Sequence, residues 1–98
     1  MEVIKIDKLK ETNFHEWRQR IKMVLALRDL DDMLDEDGKP ADDEGRELEL
    51  WKRRDMKASV IIGLTLGSEQ LAHVSGSKTT AEMWSTLQGV FHSKSLMN

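Results

Sequence analysis

Apolar positions along the chain fall into helical registers, separated by glycine, proline and short polar turns. Phe14, Trp17, Ile21, Val24 and Leu25 repeat at i, i+3, i+4 and i+7, a row broken only by Arg28. Met23, Leu27 and Leu30 widen the stripe, which predicts a helix that touches more than one neighbour and runs to about Leu34. Asn13-Phe14-His15-Glu16 reads as its capping box, with Asn13 accepting from the third helical amide and Glu16 reaching back. A second helix is expected from about Asp43 to Leu64, with Leu48, Trp51, Ala58 and Ile62 on one face and Asp55 interrupting it. Gly63 and Gly67 mark its fraying end, and residues 68–74 suffice for two further helical turns. After the Gly76-Ser77-Lys78 turn, Thr79-Thr80-Ala81-Glu82 forms a second capping box. The last helix then places Trp84, Leu87, Gln88 and Phe91 on one face, to about Ser93.

The remaining segments are short. Residues 1–12 are a lead-in in which Ile4 and Ile6 flank Lys5 in strand-like alternation, and 35–43 are a solvated acidic loop holding the only proline, Pro40. The chain finishes on Ser95-Leu96-Met97-Asn98 without a polar tail, which reads as a cut end. The expected architecture is one all-α domain over residues 1–98, a small bundle of four to five helices with a short extended lead-in.

Composition narrows the function classes. At 98 residues with 39% hydrophobic and 34% charged side chains, the helices must share a thin core. Fifteen basic against eighteen acidic residues give −3, without the basic stripe of a free-standing nucleic-acid binder. Lys5, Lys8, Lys10, Arg18, Arg20 and Lys22 are the one cluster such binding could use, and it ranks as a minor reading. The absence of cysteine removes disulfides, Cys-ligated zinc, iron–sulfur clusters and thiol chemistry. No apolar run approaches the roughly 18–20 residues of a membrane span, and charge breaks the N-terminus too often for a signal peptide. A cytoplasmic protein is expected.

No residue pattern suggests catalysis, a cofactor or a metal. His15, His73 and His92 fall on three different helices without ligand-like spacing. The acidic loop fails the EF-hand register, because position 1 is Met33 counting back from Gly38 and Pro40 counting back from Gly45. The carboxylate groups Asp31-Asp32, Asp35-Glu36 and Asp42-Asp43-Glu44 lie in or beside a loop open to water, without the pocket that acid–base work needs. Ser68, Ser77 and Thr79 fit caps and turns, and Gly63-Leu64-Thr65-Leu66-Gly67 lacks the lysine and preceding strand of a phosphate loop. The five aromatics, Phe14, Trp17, Trp51, Trp84 and Phe91, read as one core cluster.

Those aromatics carry a family resemblance. Leu9-x-x-x-Asn13-Phe14-x-x-Trp17, followed by Met23 and Leu27, resembles the opening block of copia-type LTR-retrotransposon Gag polyproteins. Trp51-x(3)-Asp55-x-x-Ala58-x(3)-Ile62 is similar to that family's next block, and Val74 with Thr80-Ala81-Glu82-Met83-Trp84-x-x-Leu87-x(3)-Phe91 resembles the third. One departure is Glu11, where many relatives have glycine. The resemblance implies a helical, capsid-like domain without enzyme activity, which self-assembles into particles that package the element's RNA. It also implies a downstream helical portion and a zinc knuckle for RNA, neither of which this chain contains. The signature residues read chiefly as fold determinants. Apolar residues at the two chain ends, Val3, Ile4, Ile6, Leu96 and Met97, are the candidate self-association or partner contacts. The alternative function is a domesticated Gag-derived adaptor that holds a protein or peptide in an interhelical groove.

Overall fold

The computed structural model describes residues 5–40 and 45–97, with side chains described as far as His92. Four α-helices follow one another: α1 (Phe14–Leu27), α2 (Gly45–Gly63), α3 (Ser68–Val74) and α4 (Thr80–Met97). Two single 3-10 turns, Asp31–Leu34 and Glu36–Gly38, lie between α1 and α2. The described residues contain no strand, so the fold is all-α as expected. Helix α4 continues past Ser93, and α2 begins and ends within two residues of its expected bounds.

Helix α1 stops seven residues before the expected Leu34. Asp29 adopts a left-handed φ of 59°. Leu30 N–H reaches the Leu25 carbonyl at 2.7 Å and Asp29 N–H reaches that of Ala26 at 3.1 Å. These are the paired bonds of a Schellman stop, with Leu30 and Leu25 both buried as its apolar contact. Glycine ordinarily fills the left-handed position, so the sequence carries no obvious break signal here. The expected capping box at Asn13 is also absent. The Asn13 side chain turns backwards instead, accepting from Lys10 N–H at 2.7 Å and donating to the Lys8 carbonyl at 2.9 Å. Glu16 pairs with Arg20 one turn on.

One contiguous cluster fills the centre. Trp17, Ile21 and Leu25 of α1 meet Ala58 and Ile62 of α2 and Met83, Trp84, Leu87 and Phe91 of α4, with Leu9, Leu30, Met33, Leu66 and Val74 closing the edges. The Trp17 and Trp84 rings stack at 5.6 Å, and Phe14 stacks on both Trp17 and Phe91. Trp51 lies outside that ring stack but packs against the same cluster, as the single-cluster expectation has it. It lies half-buried at the margin, with the Lys39 ammonium 5.9 Å from its ring. Its indole nitrogen has no hydrogen-bond partner among the described residues.

Thr65, just beyond α2, joins three segments. Its hydroxyl accepts the buried Trp17 indole N–H at 2.9 Å and donates to the Ile62 carbonyl, while its own carbonyl receives Leu9 N–H at 2.8 Å. The lead-in is thereby tied down at Leu9. Helix α4 is fixed to α2 through Asp55, whose carboxylate accepts Thr80 N–H at 3.0 Å and whose carbonyl accepts the Thr80 hydroxyl at 2.7 Å. Thr79 caps the same helix end by accepting Glu82 N–H at 3.1 Å, the forward half of the second capping box.

Two stability outcomes follow from these bonds. Thr65→Val should cost about 1–3 kcal/mol in urea unfolding, because it leaves a buried indole donor unpaired. The same change on a Trp17→Phe background should cost clearly less, since no donor remains there. Asp29→Gly should stabilise the fold by a few tenths to about 1 kcal/mol, because glycine adopts the left-handed position without steric cost. The readout is the midpoint of thermal or urea unfolding.

Candidate interaction surface

With the core closed, large apolar side chains still face solvent. On α2, Met56 and Val60 are 68% and 51% exposed, and Leu64, one residue past its end, is 74% exposed. Their four-residue spacing lines them up as one ridge opposite the buried Leu48, Ala58 and Ile62. Leu71 of α3 extends this apolar area, since its Cδ2 lies 4.0 Å from where a Cβ would stand on Gly63. On α1, Met23 and Leu27 are 70% and 61% exposed, so they do not pack on a second neighbour as the widened stripe predicts. They project opposite the buried row of Trp17, Ile21 and Leu25.

Beside the α2 ridge runs a groove of about 630 Å³, bounded by Arg28 and Leu30 after α1 and by Arg54, Val60 and Ile61 of α2. Arg54 holds one wall in place. Its guanidinium donates to both carboxylate oxygens of Asp32, at 2.9 Å for the Nη1 bond, and also to the Asp29 carbonyl. The hydrogen bond from Arg54 holds the Asp32 carboxyl below its ordinary value, against the opposing effect of desolvation and with help from the guanidinium charge. A second groove, of about 590 Å³, lies between α1 and α4, bordered by Arg18, Met23, Leu34, Trp84 and Gln88. Arg18 spans it by donating to the Gln88 amide oxygen at 2.8 Å.

The residues singled out in the sequence separate into two groups. Among the signature residues, Leu9, Trp17, Ala58, Thr80, Ala81, Met83, Trp84, Leu87 and Phe91 are buried, while Asn13, Phe14, Trp51 and Asp55 are half-buried. None is a freely exposed contact. Of the candidate contacts, Ile6 packs half-buried against the core cluster, and Val3, Ile4, Leu96 and Met97 lie outside the described side chains. His15, His73 and His92 are all exposed; His15 and His92 border one shallow groove with Phe14 and Arg18. No group of three His, Cys, Asp or Glu among the described residues could hold a metal ion. Of the basic cluster, Lys5, Lys8, Lys10 and Lys22 are exposed, whereas Arg18 and Arg20 are engaged by Gln88 and Glu16. No described helix is long and apolar enough to cross a membrane.

The α2 ridge was not among the sequence candidates. Its signal was available as a surplus of apolar residues on α2, more than the inward face can use.

Sequence comparison supplies the deciding observation: residues 21–98 match the family described as gag-polypeptide of LTR copia-type. The chain belongs to the copia-type Gag family. The match covers most of the chain and takes in α2, α3, α4 and the exposed ridge. Comparisons with curated proteins and with solved structures give no match. Membership gives the chain the structural role of a Gag polypeptide.

The Arg54–Asp32 pair that braces the groove has a pH consequence. Both side chains are more than a third exposed, so the pair is worth less than about 1 kcal/mol. A lowered folded-state value means that its stabilisation is present above the unfolded carboxylate value of about 3.9 and lost as pH falls through the folded value. Asp32→Asn should therefore be less stable than the native chain at pH 7 and equal to it at strongly acidic pH, as urea unfolding across a pH series will read.

Proposed function

We propose that this chain is a non-enzymatic, capsid-like Gag domain that acts in the cytoplasm by self-association during particle assembly. Family membership supports the structural part of this reading. The self-association rests on one observation: the outer faces of α1 and α2, with Leu64 just past α2, expose six large apolar side chains although the domain already has a continuous core. Such area on a small, charge-rich domain is normally covered by another protein surface. Contacts of this size are weak singly and gain strength by repetition, which suits a particle built of many copies. Val3, Ile4, Ile6, Leu96 and Met97 are proposed as additional contacts at the chain ends.

The groove beside α2 favours a second reading, in which a monomeric, domesticated Gag domain acts as an adaptor. An apolar floor with cationic edges suits an amphipathic segment of a protein partner. Nucleic acid has a minor place in either reading, through the exposed lysines of the lead-in, and such binding would weaken steeply with salt.

Sedimentation across a concentration series separates the two readings. Self-association predicts that the weight-average mass rises between about 10 μM and about 1 mM, the range that brackets weak contacts. A strict monomer throughout overturns the assembly reading. A saturable, groove-localised shift of amide resonances on adding a peptide to that monomer supports the adaptor.

A further inference from the structure

We infer that the groove beside α2 is the seat of an acidic amphipathic helix from another protein, whose apolar row lies on Met56 and Val60 and whose carboxylates meet Arg28 and Lys57. The inference rests on the adaptor reading and gives that reading's partner a chemistry.

The sign of the charge sets this groove apart. The chain carries −3 overall, yet Arg28, Arg54 and Lys57 border the groove with Asp29 as its one carboxylate among the described residues. The groove between α1 and α4 has no such bias, because Arg18 and Lys22 are balanced there by Asp31 and Asp35. Arg54 is already compensated, since its guanidinium lies on the Asp32 carboxylate and the Asp29 carbonyl. Arg28 and Lys57 are different. Both are exposed, and among the described residues neither forms an ion pair. One follows α1 and the other stands on α2, so each wall contributes a free cation.

Between those cations the surface is apolar: Leu30 and Ile61 are buried or half-buried, and Met56 and Val60 are exposed. A bare polyanion would meet the cations and leave Met56 and Val60 uncovered. A neutral apolar segment would cover these two and crowd the cations without pairing them. A segment that carries carboxylates beside an apolar row satisfies both parts of the surface.

The backbone form of the occupant follows from what the fold offers. The described residues contain no strand, so there is no sheet edge on which an extended peptide could form backbone bonds. Met56 and Val60 are four residues apart, about 6 Å along α2, the repeat at which an opposing helix presents its own apolar row. A volume of about 630 Å³ suits the side chains of a short segment rather than the face of a folded domain. The bonds that hold Arg54 also set one wall before the partner arrives, which lowers the ordering cost of binding.

The test follows amide resonances of the whole chain during titration with three synthetic amphipathic helices, identical except that their polar flank is Glu, Gln or Lys. The Glu helix should shift residues 28–30 and 54–61 saturably. The Gln helix should bind about three- to tenfold more weakly, the scale of two exposed charge pairs, and the Lys helix more weakly still. Arg28→Gln combined with Lys57→Gln alters exposed positions only, so the unfolding midpoint should stay near native while the Glu and Gln helices become equal. If all three helices bind the groove of the native chain alike, the adaptor reading stands and the acidic partner is wrong. If none shifts these residues up to about 1 mM, the acidic partner and the adaptor reading both fail. If the Glu helix has no effect but concentrating the chain alone, or adding an RNA oligonucleotide, shifts them, the groove holds a second copy or a polyphosphate and the inference is overturned.

Discussion

The fold depends on satisfying one buried donor. Trp17 is enclosed by α1, α2 and α4, and its indole N–H has a single hydrogen-bond acceptor in that interior, the Thr65 hydroxyl. A buried donor left unpaired costs far more than a typical hydrogen bond contributes, so this bond fixes where the end of α2 lies relative to α1. Thr65 then commits its own hydroxyl proton to Ile62 and its carbonyl to Leu9, so the lead-in, the first helix and the second are held at one point. The stacked rings of Trp17, Trp84, Phe14 and Phe91 carry the constraint into α4. Asp55 and Thr80 clamp α4 to α2 a second time, from the outer side of the stack.

Periodicity made most of this frame legible. The i, i+3, i+4 rows identified the faces of α1, α2 and α4 that are buried, and the polar residue interrupting the α2 row, Asp55, is the one that caps α4. The hydrophobic pattern could not reveal where α1 ends, because Leu30 and Met33 continue to look like helix while serving as the apolar side of a stop and a 3-10 turn. A left-handed aspartate gives no compositional signal comparable to glycine. Asn13 misled for a related reason. Its side chain has several backbone groups within reach, and the preceding turn at Lys8 and Lys10 outcompeted the helix amides. Thr65 was invisible, since a lone threonine between glycines reads as a loop residue until tertiary structure buries it.

The interaction surface was less legible than the core for a physical reason. An apolar residue contributes to a hydrophobic pattern whether it packs inside or waits for another molecule outside. On α1, Met23 and Leu27 looked like a wider buried stripe and are instead an outward patch. On α2 the outer row is apolar too, so periodicity finds the inner face without showing whether the outer one is covered. What decides is the polar register: Asp55 must face α4 to reach Thr80, and that rotation leaves Met56, Val60 and Leu64 pointing away from the bundle.

The same clamps bear on how a small surface can be useful. Association loses free energy to the ordering of side chains and loops, and a contact of a few residues has little to offset that loss. Helix α2 is already fixed on its inner side by the core, at Asp55 by Thr80 and at Arg54 by Asp32, so its outer ridge is rigid before any partner arrives. Little further order is required on docking. A rigid ridge with modest area yields a contact that is reversible one at a time, and cumulative only when each copy meets others in the same geometry. Under the proposed self-association, an interior held by a few directional bonds and an exterior kept sparingly apolar are parts of one solution, because a docking surface must be ordered before it can be adhesive.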